Sequence, residues 1–169
     1  FAHRTGNRKE AATDARHALR VIDAELPDER DLEESVIQVL EPIVRQDGDI
    51  PSVVALLERK LRMTSDRAAK QALRLDQAAL LESADDRTAS IAILERAFIE
   101  LPQSIEVAER LGSAARHSDR ASLAASAFAR AARLAEDEHR PAKAIEMHGL
   151  AAEAAIALDD RTRSERHDR

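Results

Sequence analysis

Cysteine, tryptophan and tyrosine are missing from this chain of 169 residues, and phenylalanine occurs only three times. Without cysteine there is no disulfide framework and no thiolate metal site, and the compartment cannot be read from redox chemistry. Glycine and proline are scarce as well, at four and five, which denies a many-stranded fold the turn residues it would consume. Long apolar runs are missing too. No window approaches the roughly 18 consecutive apolar residues of a transmembrane helix, so no membrane insertion is expected. Nor is there an excess of positive charge. A formal net charge of −6 and a pI near 5.6 speak against nucleic acid as a partner, which calls for a basic face on a basic domain.

What the chain does have is alanine, 34 residues of it against seven valines and five threonines. That bias toward the best helix former and away from β-branched residues predicts an all-α protein. The basic residues divide into 22 Arg and four Lys, which suits a high-GC bacterial genome as well as it suits a binding role. The sequence opens at Phe1 with no basic head and apolar run behind it, so it reads as a piece of something longer, expected in the cytoplasm.

Internal repetition organises the rest. Ala92-Ile93-Leu94-Glu95-Arg96 repeats Ala55-Leu56-Leu57-Glu58-Arg59 at an offset of 37. Residues 85–92 lie over 119–126 at an offset of 34, and Asp159-Asp160-Arg161-Thr162 returns the same opening at 74. Apolar residues within each period fall at helical spacing, as in Val36, Ile37, Leu40, Ile43 and Val44, so each period is a pair of helices. The spacing predicts helices over 8–25, 33–46, 51–63, 66–83, 87–101, 104–117, 120–136 and 140–158. Ser65 and Asp119 are expected to cap the fourth and seventh, and Gly48 to close the second. Pro42 is expected to kink or split its helix, because it removes the bond to the Gln38 carbonyl. The last stretch, from Asp159, is expected to begin a further helix, with a solvated tail as the alternative. Each pair has one apolar face it cannot bury alone, so stacked pairs in an α-solenoid are the expected architecture.

The stretch 105–138 resembles a tetratricopeptide repeat. It carries Ala108-x-x-Leu111-Gly112-x-x-Ala115 and then Ala124-x-x-x-Phe128-x-x-Ala131, with the family's spacing throughout. It departs from the pattern at Ala108 and Ala115, where large or aromatic residues are usual, and at Glu136 in place of the closing proline. Leu75, Ala79, Leu94, Ala97 and Pro102 follow the frame in the unit before, and Ile37, Leu40, Val44, Gly48 and Asp49 in the one before that. The resemblance implies one domain over 1–169, a right-handed superhelix similar to tetratricopeptide arrays in large high-GC bacterial proteins. It would comprise a half unit at 1–30, units near 31–65, 66–102 and 103–138, and a partial unit at 139–169.

Catalytic and metal chemistry find little support. His3, His17, His117, His139, His148 and His167 form no pair at the spacing that sets two ligands on one helical face. Asp47-Gly48-Asp49 lacks the alternating acids and closing glutamate of a calcium loop. There is no nucleophile elbow and no glycine-rich phosphate cradle. Neither a metal nor a cofactor is expected, and no enzyme. The acids Glu136-Asp137-Glu138 suit a helix start as well as a basic partner. The resemblance implies instead a concave groove, lined by the first helix of each pair, that holds a protein or peptide partner. The matched frame places Glu106, Glu109, Arg110, Ser113, Arg116 and His117 on it, with Gln38 and Arg45, then Arg74 and Gln77, in the weaker units. The expected function is a non-enzymatic interaction scaffold. Self-association within a larger assembly and a ligand-sensing regulatory domain are its rivals.

Overall fold

A computed structural model describes residues 2–26 and 29–167, with side chains placed from 9 to 160 apart from 27 and 28. The described chain is all-α. Its helices are α1 Ala2–Glu25, α2 Arg30–Gln46, α3 Ile50–Met63, α4 Arg67–Ser83, α5 Arg87–Glu100, α6 Ile105–His117, α7 Ala121–Asp137 and α8 Pro141–His167. They group into two compact units, Phe1–Leu73 and Arg74–Arg169.

One turn recurs. Between α2 and α3, α4 and α5, α6 and α7, and α7 and α8 exactly the same length of linker, three residues, intervenes. In each the central residue is left-handed: Gly48 at φ 71°, Asp85 at 59°, Asp119 at 64° and His139 at 56°. The amide that follows it reaches back five residues to a carbonyl: Asp49 to Val44, Asp86 to Leu81, Arg120 to Ala115 and Arg140 to Ala135, at 2.8–3.0 Å. This is the Schellman closure of a helix end. Only Gly48 occupies the position without a Cβ penalty. Asp119 therefore shapes the turn and does not cap α7, whose N-cap is Arg120, without a side-chain bond. The fourth helix is likewise capped by Asp66 and not by Ser65: the Asp66 carboxylate accepts from the Ala69 amide at 2.7 Å.

In the first unit α1 packs on α2 and α2 on α3. Ala12, Ala15, Leu19 and Ile22 from α1, Ile37, Leu40 and Val44 from α2, and Val53, Leu56, Leu57 and Leu61 from α3 are buried. Arg59 ties the three helices together, donating to Asp23 on α1 at 2.5 Å and to Glu33 on α2 at 2.7 Å. Glu41 is held between Arg45, one turn on, and Lys60 of α3. Helix α2 runs through Pro42 without a split. Pro42 and Gln38 are both exposed, so water reaches the carbonyl that loses its helical donor.

In the second unit Ala78, Ile91, Leu94, Leu111 and Ala127 form one buried cluster. A second joins α6, α7 and α8 through Ala108, Ala115, Ala124, Phe128, Ala131, Ala135, Ala144 and Met147. Alanine at the contacts lets helices approach closely, and Gly112 takes this to its limit. The Phe128 ring lies where a Cβ on Gly112 would be, 2.7 Å from two of its carbons. Helix α8 continues unbroken through Asp159 and Asp160, against the expectation of a new helix there. Residues 159–167 hold no apolar side chain, so periodicity is silent, while Arg, Ser and Glu carry the helix on.

Candidate functional site

Helix α6 organises the candidate site. Ser104 caps it by accepting from the Val107 amide at 3.2 Å, Glu106 lies in its first turn, and Arg116 and His117 in its last. That charge order suits the helix dipole. Ile105, Ala108, Leu111, Gly112 and Ala115 are buried. Glu106, Arg110, Ser113 and His117 follow at steps of four, three and four, which sets them in one stripe along the helix.

Two depressions border that stripe. One, of about 340 Å³, is lined by Glu82, Asp85, Arg87, Ser90, Arg110, Ser113 and His117 among others. The other, of about 420 Å³, is lined by Leu75, Ala79, Glu106, Glu109, Arg110 and Ser113. Arg110 and Ser113 belong to both.

Ion pairs fix the side chains around them. Arg110 donates to Glu82 of α4, and the second Glu82 oxygen accepts from the buried Ser90 hydroxyl at 3.2 Å. On the α8 side Lys143 donates to Glu109 at 2.7 Å and to Glu146 at 3.2 Å. Arg116 lies 3.5 Å from Glu153. The hydrogen bond to Glu109 holds the Lys143 ammonium more basic than an ordinary lysine. His117 Nδ1 donates to the Ser113 carbonyl at 2.7 Å.

Of the residues expected on the groove, Glu106, Arg110, Ser113 and His117 lie in the stripe and Glu109 borders the second depression, while Arg116 lines neither depression and lies beside Glu153 of α8. Arg74 and Gln77 do not join them. Arg74 is 3% exposed and Gln77 is fully buried. The Arg74 guanidinium forms a two-point pair with Glu100, at 2.9 and 2.8 Å, and donates to the Gln77 carbonyl oxygen at 3.1 Å. Both are interior polar groups, corrected here from groove residues. The face of α4 that lines the depressions carries Leu75, Ala79 and Glu82 instead. Gln38 and Arg45 belong to the first unit. Gln38 is exposed, 3.5 Å from Glu34, and Arg45 pairs with Glu41 at 2.9 Å. Neither lines that unit's depression of about 440 Å³, which is bounded by Arg16, Leu19, Asp23, Leu40, Leu56 and Arg59 among others.

Glu82, Asp85, Arg87, Lys143 and Glu146 were not singled out from the sequence. Among the described residues no three His, Asp or Glu side chains are grouped to hold a metal ion. No helix among them is long and apolar enough to cross a membrane.

No protein-family model matches the chain, and no curated protein matches it. Solved structures do. The chain is similar to a MamA RS-1 double mutant, at 16% identity over 92% of this chain and 96% of that one, with a TM-score of 0.45. It is similar to a crystal structure of MamA, at 13% identity over 93% and 95%, with a TM-score of 0.44. MamA from Desulfovibrio magneticus RS-1 gives 16% identity over 91% and 96%, with a TM-score of 0.44.

Proposed function

We propose that this chain is a non-enzymatic protein-interaction module of tetratricopeptide type, which holds an extended polypeptide along the exposed stripe of α6. One observation carries the reading. Glu106, Arg110, Ser113 and His117 lie in line on a helix whose opposite side is buried, and they border two adjoining depressions. Ion pairs to α4 and α8 hold the polar side chains in place before any partner arrives, which lowers the ordering cost of binding. The turns at Gly48, Asp85 and Asp119, spaced by 37 and 34, support the repeat reading.

Ser113 lines both depressions, so Ser113→Trp places a bulky side chain at the position the two share. Affinity capture from the source organism's lysate with the native chain and with this variant tests the proposal. A polypeptide retained by the native chain and lost with Ser113→Trp, at unchanged helical circular dichroism, is the expected result. A partner retained equally by both places binding elsewhere.

A second reading, self-association, draws on α8. Ile145 is 74% and Ile156 62% exposed, and Gly149 and Ala152 fall between them at seam spacing. Under this reading Ile145→Lys with Ile156→Lys turns a larger species into a monomer by light scattering, whereas an unchanged mass rejects it.

A further inference from the structure

Helix α8 repeats, on an exposed face, the register with which α6 seats α7. On α6 the buried residues Ile105, Ala108, Gly112 and Ala115 follow at steps of three, four and three. Three of them share a core cluster with Ala124, Phe128 and Ala131 of α7, and Gly112 takes the Phe128 ring. At an offset of 37, one of the offsets at which the sequence repeats, stand Ala142, Ile145, Gly149 and Ala152, again at three, four and three. All four are exposed, Ile145 at 74%, and Ile156 one turn further on is exposed at 62%. Ala144, Met147 and Ala154, which pack into the core, lie about half a turn away around α8 at about 100° per residue. Among the described residues nothing comes within 4 Å of a Cβ placed on Gly149.

The described chain does not cover this face in the way it covers α6. Helix α6 ends at His117, five residues beyond Gly112, and a three-residue turn folds α7 back over it, whereas α8 runs on for 18 residues beyond Gly149, to His167. Among the described side chains a second copy has no free ring to place there: Phe128 is fully buried, and Phe98 packs against the core clusters. We propose that α8 is a docking face for an amphipathic helix of a different protein, one built to the pattern of α7, which runs antiparallel to α8 and lays a phenylalanine ring over Gly149. This is recognition of a helix through its apolar face, separate from the stripe on α6. The two seats differ in a way that shapes the partner. Ile145 stands where α6 has Ala108, and Ala142 where it has Ile105. In an antiparallel pair the residue four beyond the ring faces Ile145, and the residue seven beyond it faces Ala142. The partner therefore keeps a small residue at the first position and carries a bulkier apolar one at the second, where α7 has Ala132 and Ala135.

The test is a synthetic peptide of residues 121–137 with Ala135→Leu, titrated into the native chain and followed by NMR at the backbone amides. The expected result is a set of shifts centred on Gly149, Ile145 and Ala152. The same peptide with Phe128→Ala should bind roughly tenfold or more weakly. Gly149→Leu in the chain should abolish binding yet leave the melting temperature unchanged or higher, because its Cβ meets nothing within 4 Å and leucine is the better helix former. No shift at Gly149 with millimolar peptide, or equal binding by the Phe128→Ala peptide, overturns the proposal. Shifts at Gly112 that persist in Gly149→Leu show exchange with the chain's own α7 and overturn it as well. A dimer by light scattering that Gly149→Leu turns into a monomer, with no response to the peptide, gives the face to a second copy and favours self-association instead. Peptide bound by this chain but refused by the protein purified from its source organism gives the face to the same polypeptide, which also overturns the proposal.

Discussion

Gly112→Ala tests the closest approach in the second unit. The added Cβ would stand 2.7 Å from Cδ1 and Cε1 of Phe128 and 2.9 Å from its Cγ, where ordinary contacts need well over 3 Å. The ring is fully buried, on the helix that also buries Ala124, Ala127, Ala131 and Ala132, so it has little room to withdraw. Overpacking of this kind costs about 1–3 kcal/mol. Replacing a helical glycine by alanine returns about 1 kcal/mol, which leaves a net loss of up to about 2 kcal/mol. Phe128→Ala alone should cost about 3–5 kcal/mol. With the ring gone the obstacle is gone too, and Gly112→Ala should then stabilise by about 1 kcal/mol. The sign of one substitution thus depends on the other residue. Urea unfolding of the two single variants and the double variant, followed by far-ultraviolet circular dichroism, reads the coupling directly. The reasoning is refuted if Gly112→Ala is stabilising in the native background, or if the two effects add to within about 0.5 kcal/mol.

Other perturbations have equally definite outcomes. His139→Gly relieves a left-handed non-glycine residue and should raise stability by about 0.5–1 kcal/mol, read as a higher melting temperature. Arg74→Met removes the partner of buried Gln77 and of Glu100, and should cost about 2 kcal/mol in the same urea assay. Burial raises the Glu41 pKa, but hydrogen bonds from Lys60 and Arg45 outweigh it, so the carboxyl stays below its ordinary value of 4.5. Its contribution is therefore fully present above that unfolded value and is lost as pH falls through the lower folded one. Glu41→Gln should flatten that part of the acid stability profile, and a profile unchanged by the substitution would contradict the pairing.

Most helix positions were legible because buried alanines and leucines repeat at helical spacing, so α3 to α7 fall within a residue or so of expectation. What was missed depends on chemistry that periodicity does not record. The polar ends of α1 and α8 have no apolar stripe to announce them. The aspartate at 119 looks like a cap, and only its backbone angle reveals a left-handed turn. The candidate site was legible on α6, where the repeat frame is intact, and illegible on α4, where a unit of 37 residues shifts the frame. That shift assigned Arg74 and Gln77 to the surface, although the pairing of Arg74 with Glu100 across 26 positions, and its hydrogen bond to Gln77, let a guanidinium and an amide be buried without an unsatisfied atom.

The recurring three-residue turn also bears on how quickly structure can form. A helix that ends in a left-handed residue and restarts two positions later brings its neighbour alongside without closing a long loop. The entropy of each closure is correspondingly small. Contacts between α6 and α7, or α7 and α8, link residues close in sequence, which is the condition for folding on the microsecond to millisecond scale. A hairpin such as 105–137 can therefore assemble from its own residues first, and the ring of Phe128 settling over Gly112 is a local event within it.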